Sequence, residues 1–322
     1  MRASNAYWSG CALQATVQLD LFTALEAGAQ SEEELAARLE CNGRAFAMLT
    51  TALVAMGLLE RTNGKVRATL EVLRLLSRKS EDYLGFIILH HAHILPGWAN
   101  LAMSVRSGKT TLERTTLGTD DAVEREAFIM GMFNVARQQA DKIAAALDLK
   151  GRKQLIDIGV GPGTYAVNFC RHNPELKATI FDLPTTEPFA RKIVKRFGLA
   201  ERINFLSGDF LKGPLPAGQD VAWLSQVLHG ENPENAQRML HLAASCLKPG
   251  GLLCVQEFTL DDKRDGPLHP ALFALGMLVE SAGGQAYTRD EISAMLQKAG
   301  ASDITNLPVE LPNGCQVLIG KR

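Results

Sequence analysis

Residues 154–170 read QLIDIGVGPGTYAVNFC. Leu155 to Ile158 form a short apolar strand. Gly159, Gly161 and Gly163 follow at alternate positions, and then apolar residues recur at helical spacing. Strand, glycine turn and amphipathic helix, in that order, open a ligand-binding α/β unit. Glycines permit a tight turn and close backbone approach, and the helix start offers free N–H groups. The pattern is D-x-G-x-G-x-G, with Asp157 two places before the first glycine. A dinucleotide fingerprint, G-x-G-x-x-G, asks for glycine at 164, where this chain has Thr164.

Downstream, short β-rich runs alternate with helical stretches, the signature of a parallel α/β sheet. The second strand, ATIFDLP, ends in Asp182. An acid about 20 residues past a glycine loop suits two ribose hydroxyls, and a carboxylate can accept both hydrogen bonds. The third strand, RINFLSGDF, ends in Asp209-Phe210. DVAWLSQVLHG gives a fourth strand ending at His229. LKPGGLLCVQEF gives a turn and a fifth strand, with Glu257 near its end. A final strand pair spans about 303–309 and 315–320. In an open α/β sheet, ligands bind beyond the carboxyl ends of the strands, where these acids fall.

This set resembles the S-adenosylmethionine-dependent methyltransferases of the Rossmann-like class. The resemblance implies a seven-stranded core closing in a reversed hairpin. It implies that Asp157 lies near the methionine part of the cofactor, that Asp182 with Leu183 holds the ribose, and that Asp209 reads the adenine amino group while Phe210 packs on the ring. Ser225 stands at a position that often faces the cofactor. The L-K-P-G-G-x-L turn at 247–252 is typical of the class.

Before residue 150 the chain reads almost entirely helical. Periodicity runs from Ala12 to Leu25. Ser31 with Glu34 three places on forms a capping box. A helix over Arg44 to Met56 ends at Gly57, and Asn63-Gly64 joins two short strands as a hairpin. Three helices and a hairpin resemble a winged helix. Its would-be recognition helix, GRAFAMLTTALVAMG, offers one Arg among small and apolar groups, whereas DNA contact needs Arg, Lys, Asn or Gln. Burial against a second subunit is the better reading. Further long helices run through DYLGFIILHHAHILPGWANL and AFIMGMFNVARQQADKIAAAL. The expected organisation is therefore a winged-helix-like dimerisation domain at 1–100, linker helices at 101–150 and a cofactor-binding domain at 151–322.

The 322 residues carry 34 basic and 35 acidic side chains, for a formal net charge of -1. That balance does not suit a general nucleic-acid binder. No apolar run approaches the roughly 20 residues a membrane span needs, and the N-terminus lacks a signal-peptide layout, so the expected location is cytoplasmic. Cys11, Cys41, Cys170, Cys246, Cys254 and Cys315 are scattered, without zinc spacing, and read as reduced core residues.

Helical N-terminal part, linker helices, methyltransferase core and V-L-H at 227–229 together resemble, over nearly the whole chain, the caffeic acid/hydroxyneurosporene type of small-molecule O-methyltransferases. The resemblance implies His229 as general base, Glu257 as its acidic partner, an N-terminal homodimer and no metal. Histidine suits the task because its reference pKa near 6.5 lets it accept a phenol's proton in the transition state. There are departures. Plant-type enzymes read H-D-W where this chain reads H-G-E, and their G-G-x-E-R-T stretch is G-G-Q-A-Y-T here, so Ala286 replaces a second acid. Glu280, about a helix turn earlier, is the candidate substitute.

Candidate acceptor contacts are His91 and Trp98, with His90 and His93 beside them; Met130, Phe133 and Asn134, with Phe128 and Met132; Met277 at the end of the stretch from His269; and Tyr7 or Trp8 from a partner subunit. Mixed Met and aromatic groups suit a flat apolar ring, although helical spacing gives plain core just as readily. His90 and His93 at i, i+3 lack a nearby acid or cysteine in register for a metal. The leading function is O-methylation of a small hydroxylated ring. Nitrogen, sulfur or carbon acceptors, a ligand-sensing winged-helix regulator and a nicotinamide oxidoreductase are the alternatives.

Overall fold

A computed structural model describes residues 3–112, 121–159 and 161–322. Part of the expected linker, residues 113–120, and Val160 inside the glycine loop lie outside the described residues. The chain divides into two compact units. One holds Met1–Leu95 and Thr119–Asn134, the other Pro96–Gly118 and Val135–Arg322.

The elements run α1 (Tyr7–Gln18), α2 (Leu21–Ala24), β1 (Gln30–Ser31), α3 (Glu32–Arg38), α4 (Gly43–Ala55), β2 (Glu60–Thr62), β3 (Lys65–Arg67), α5 (Leu70–Leu76), α6 (Gly85–Ala99), α7 (Leu101–Ser107), α8 (Ala122–Ala136) and α9 (Ala140–Ala146). They continue β4 (Gln154–Ile158), α10 (Thr164–His172), β5 (Lys177–Asp182), α11 (Glu187–Arg196), β6 (Ile203–Ser207), β7 (Gln219–Ser225), α12 (Pro233–Ser245), β8 (Leu247–Phe258), α13 (Leu268–Glu280), α14 (Arg289–Lys298), β9 (Ser302–Asn306) and β10 (Cys315–Lys321).

In the first unit, Ser31 caps α3 in a reciprocal box with Glu34, which satisfies two otherwise orphaned N–H groups. Asn63 and Gly64, at φ 52° and 72°, close the β2–β3 hairpin, as a two-residue turn of this hand requires. β1 pairs with β3, making a three-stranded sheet in the order β1-β3-β2. Leu21, Phe22, Leu25, Leu35, Phe46 and Leu53 are buried in one cluster. The helix expected over Ala12 to Leu25 is in fact two. Asp20 adopts a left-handed φ of 56°, ending α1 and redirecting the chain so that Leu21, Phe22 and Leu25 all reach the core.

The second unit is built on a seven-stranded sheet in the order β6-β5-β4-β7-β8-β10-β9. β4, β5, β6, β7 and β8 run parallel, and β10 is antiparallel to both β8 and β9. This is the expected core with its reversed closing hairpin. The central strands are buried on both faces, which is why they read as unbroken apolar runs. Strand order reverses between β4 and β7, and such a switch point opens a crevice at the strands' carboxyl ends. Trp223 of β7 anchors one face, 4.9 Å from the Phe169 ring and 5.3 Å from that of Tyr165.

Three sequence boundaries shift. The stretch from Ala127 to Leu147 is two helices, because α8 stops at Ala136 and a turn precedes α9. Periodicity continues across that turn and hides it. The third strand stops at Ser207, so Asp209-Phe210 lie in the following turn, where Asp209 Oδ1 accepts from the Leu211 N–H at 2.9 Å. The fourth strand stops at Ser225. Gln226, at φ 55°, breaks it, and His229 sits in a short 3-10 turn over Leu228–Gly230.

Candidate active site

The loop after β4 turns through three left-handed glycines, with φ of 68° at Gly159, 68° at Gly161 and 76° at Gly163. At Gly159 the missing side chain makes room for neighbours. A Cβ there would stand 2.8 Å from Val227 and 3.2 Å from Phe210. Phe210 is thereby brought against the glycine loop.

Asp157 is fully buried. Its Oδ2 accepts from the Ala166 N–H at 3.0 Å, whereas its Oδ1 is buried without a hydrogen-bond partner among the described residues. Burial pushes its carboxyl up to about 8. Thr164 Oγ1, at the start of α10, is likewise buried and without a partner among the described residues. A buried acceptor and a buried hydroxyl left without partners are each costly unless something polar binds them.

Asp182 ends β5. Its Oδ2 accepts from the Gly161 N–H at 2.8 Å, and its Oδ1 accepts from the Leu183 N–H at 2.6 Å and from Thr186 Oγ1 at 3.0 Å. Burial raises its carboxyl, the largest influence on it. One acceptor position is left, on Oδ2, rather than the two the sequence suggested for a pair of ribose hydroxyls. Asp209 is half-exposed and pairs with Lys212 Nζ at 3.0 Å. Its carboxyl is held below the usual range, first by the Leu211 N–H. The Ser225 hydroxyl donates to Gln256 Oε1 at 2.8 Å in the sheet interior.

On the other side of the switch point stand His229 and Glu257. Glu257 reaches across from β8 and is 1% exposed. Its Oε1 accepts from the N–H groups of Val227, Leu228 and His229 at 3.0, 2.9 and 3.3 Å. Its Oε2 lies 2.7 Å from His229 Nδ1. Three backbone donors fix the carboxylate, and the carboxylate fixes the ring. With the Nδ1–H donating to Glu257, Nε2 keeps its lone pair and can accept a proton. The Phe273 ring of α13 meets the imidazole edge-to-face at 4.7 Å.

The backbone behind His229 is also held. The Gln285 N–H donates to the His229 carbonyl at 2.8 Å, and Ser281 Oγ donates to the Gly230 carbonyl at 2.6 Å. Sequence reasoning missed these two contacts. No motif marks them, because each depends on where the chain returns after α13. Ala286 is buried and brings no acid.

Of the expected acceptor contacts, Trp98 and Met277 lie in the same unit as His229. Met277 is buried on α13, and a Cβ added at the neighbouring Gly276 would stand 3.5 Å from the Trp98 ring. His91, Met130, Phe133 and Asn134 belong to the other unit. There His91 is exposed while Met130 and Phe133 are buried. Asn134 Nδ2 donates to the Tyr83 carbonyl at 2.8 Å, and its Oδ1 accepts from the Ile87 N–H at 3.4 Å. Its amide thus bonds backbone at the start of α6. His90 packs against Phe128 at 5.3 Å, and burial drives its pKa down to about 3. Among the described residues, no three His, Cys, Asp or Glu cluster as a metal site would require.

Comparison with known proteins identifies the family. A sequence model of the O-methyltransferase domain matches residues 98–302, and one of the O-methyltransferase dimerisation domain matches residues 1–72. The chain is 31% identical to a 3-hydroxy-5-methyl-1-naphthoate 3-O-methyltransferase of Streptomyces sahachiroi, over 98% of this chain and 93% of that protein. It is 27% identical to the N,N-dimethyltransferase OxyT of Streptomyces rimosus, over 93% of this chain and 89% of that one. Human N-acetylserotonin methyltransferase, solved in complex with S-adenosylmethionine, superposes with a TM-score of 0.89 at 26% identity, covering 100% of this chain and 96% of that one. The matched domain model covers more than half of the sequence, and a full-length relative shares nearly a third of its residues: this chain belongs to the S-adenosylmethionine-dependent O-methyltransferase family.

Proposed function

We propose that the protein methylates a hydroxyl group on a small aromatic or cyclic metabolite, with His229 as general base and Glu257 as its orienting partner. The observation that carries this reading is the 2.7 Å contact between His229 Nδ1 and Glu257 Oε2, with Glu257 Oε1 held by three backbone N–H groups. When bound, S-adenosylmethionine supplies an electrophilic methyl group on its sulfonium sulfur. Asp157, Gly159, Gly161, Gly163, Asp182, Leu183, Asp209, Phe210 and Ser225 are the residues that would hold it. The orphaned Asp157 Oδ1 and Thr164 Oγ1 fit such a polar ligand. His229 Nε2 takes the acceptor's proton. A phenol, with a reference pKa near 10, is mostly un-ionised at neutral pH and needs such a base. Glu257 steadies the imidazolium that results.

Trp98 and Met277 are proposed to contact the acceptor ring. His91, Met130, Phe133 and Asn134 remain acceptor-contact candidates on sequence grounds. Residues 1–100 are proposed as a winged-helix-like homodimerisation domain, residues 101–150 as linker helices and residues 151–322 as the cofactor-binding domain, in a cytoplasmic enzyme that engages neither nucleic acid nor membrane. Likeness to an N,N-dimethyltransferase keeps an amine acceptor as the second reading.

Transfer of labelled methyl to a panel of hydroxylated, amino and thiol ring compounds tests the proposal. A hydroxylated ring should take the label, and His229→Ala should lose at least about 10²-fold in rate. Equal transfer by the variant would remove His229 from the base role and favour an amine, carbon or thiol acceptor.

A further inference from the structure

We propose that Gln226 is a positioning residue for His229. Its left-handed backbone, anchored through the side-chain amide to the Cys315 sulfur of β10, aims the turn that holds the base. The inference rests on His229 being the base.

β7 ends at Ser225, and Gln226 is where the chain leaves the sheet. Its N–H still donates to the Gln256 carbonyl of β8 at 2.8 Å. Its φ is 55°, in the left-handed region that residues other than Gly, Asn, Asp and His rarely enter. Glycine would adopt that backbone freely. A glutamine held there is strained, and such strain persists only where the surroundings over-determine it. The consequence is local. The next three N–H groups, of Val227, Leu228 and His229, leave the ladder and all donate to Glu257 Oε1. They are the orphan donors at the start of the 3-10 turn. Glu257 Oε2 is then placed to reach His229 Nδ1 at 2.7 Å. An extended residue at 226 would carry Val227 onward along β8, with successive groups pointing to alternate sides. Three consecutive donors would no longer converge on one oxygen.

The anchor that over-determines Gln226 is a sulfur. Gln226 Nε2 donates to Cys315 Sγ at 3.6 Å, and Gln256 Nε2 donates to the same atom at 3.2 Å. Cys315 is buried at the start of β10, opposite Phe258 of β8. Burial pushes its thiol up to about 11, so the sulfur stays protonated and acts as a weak acceptor. Gln256 is itself fixed, because its Oε1 accepts from the Ser225 hydroxyl at 2.8 Å. Ser225 of β7, Gln256 of β8 and Cys315 of β10 thus form a line of side-chain hydrogen bonds across three strands, and the line ends at Gln226. Packing holds the rest of the turn. Val227 lies against the glycine loop, where a Cβ added at Gly159 would stand 2.8 Å from it, and Leu228 is fully buried. The amide anchor, the converging N–H groups and this packing all depend on the one dihedral at Gln226.

The test is a double-mutant cycle on the full chain, with NMR beside it. The His229 Nδ1 proton, assigned with His229→Gln, gives a far-downfield signal while Glu257 holds it, because a charge-assisted hydrogen bond is short and strong. Gln226→Val puts a β-branched residue where left-handed backbone is least tolerated. It should erase that signal and lower kcat about tenfold, as misplacement of a catalytic group does. Gln226→Gly keeps the left-handed backbone without an anchor and should retain the signal. Cys315→Ala should cost about fivefold in kcat in the otherwise wild-type chain, and less than about twofold further in the Gln226→Gly background, where the anchor has nothing left to hold. Cys315→Ser keeps an acceptor and should recover most of the loss. Equal cost of Cys315→Ala in both backgrounds, or a wild-type Nδ1 signal in Gln226→Val, would overturn the proposal. The cycle decides the matter even where the valine variant does not fold. Failure of His229 as base shows separately, as methyl transfer surviving His229→Ala, while the Nδ1 signal still answers to Gln226→Val.

Discussion

Asp157 is fully buried, and its carboxyl is pushed up to about 8. A folded-state value above the ordinary 3.8 means the native protein holds a proton that the unfolded chain releases. Stability contributed at this residue is therefore present at low pH and falls as pH rises toward 8. Asp157→Asn keeps an acceptor for the Ala166 N–H and removes the cost of a buried charge. It should raise the ligand-free Tm at pH 8 and above, by about 2–4 °C for each kcal/mol relieved in a chain of this size. The same variant should weaken S-adenosylmethionine binding about 10- to 100-fold, in line with a lost charge-assisted hydrogen bond of about 1.5–3 kcal/mol. Thermal shift across pH, with and without cofactor, reads both effects. The residue type was legible in the D-x-G-x-G-x-G spacing. Its orphaned oxygen was not, because that depends on which neighbours the fold brings within reach.

The glycine loop forms the turn between β4 and α10. At Gly161, φ is 68° and an added Cβ meets nothing within 4 Å. Gly161→Ala should cost only the left-handed backbone penalty, about 1–2 kcal/mol. At Gly163, φ is 76° and an added Cβ would run into the Ile180 side chain on β5. Gly163→Ala should cost clearly more, because strain and a clash across the helix–sheet contact add together. Urea midpoints would order the variants wild type, Gly161→Ala, Gly163→Ala, and the reverse order of the two variants would refute the assignment. Capping residues and turn chemistry made α3, α4 and the β2–β3 hairpin legible in advance, since Ser31, Asn63, Gly64 and Gly57 act on their own backbone. The breaks at Asp20 and before α9 were not, because apolar periodicity carries straight across both.

For the whole molecule, the dimerisation-domain match over residues 1–72 and the side chains left uncovered on that segment point the same way. Tyr7 is 59% exposed, Trp8 62% and Met48 62%. Large aromatic groups are rarely left open on a monomer's surface unless another surface covers them. The full chain should therefore sediment as a dimer, and Trp8→Ala should weaken association at least tenfold, about 1.4 kcal/mol. A monomeric wild type at micromolar concentration would refute the reading. Among the described residues, no helix is long and apolar enough to cross a membrane.

The order of the α/β core, its glycine loop, the acids at or just past successive strand ends and the histidine after β7 were all legible in the order of residues alone. These follow from local periodicity, from backbone conformations that glycine favours and from the strand-end rule of open sheets. The assembled fold settles how Glu257 divides its two oxygens between the His229 ring and three backbone N–H groups. It alone brought Phe273, Ser281 and Gln285 onto the His229 turn. Those partners lie 28 to 56 residues from His229 along the chain, and no local pattern encodes an approach that β8 and α13 make only once the sheet has formed.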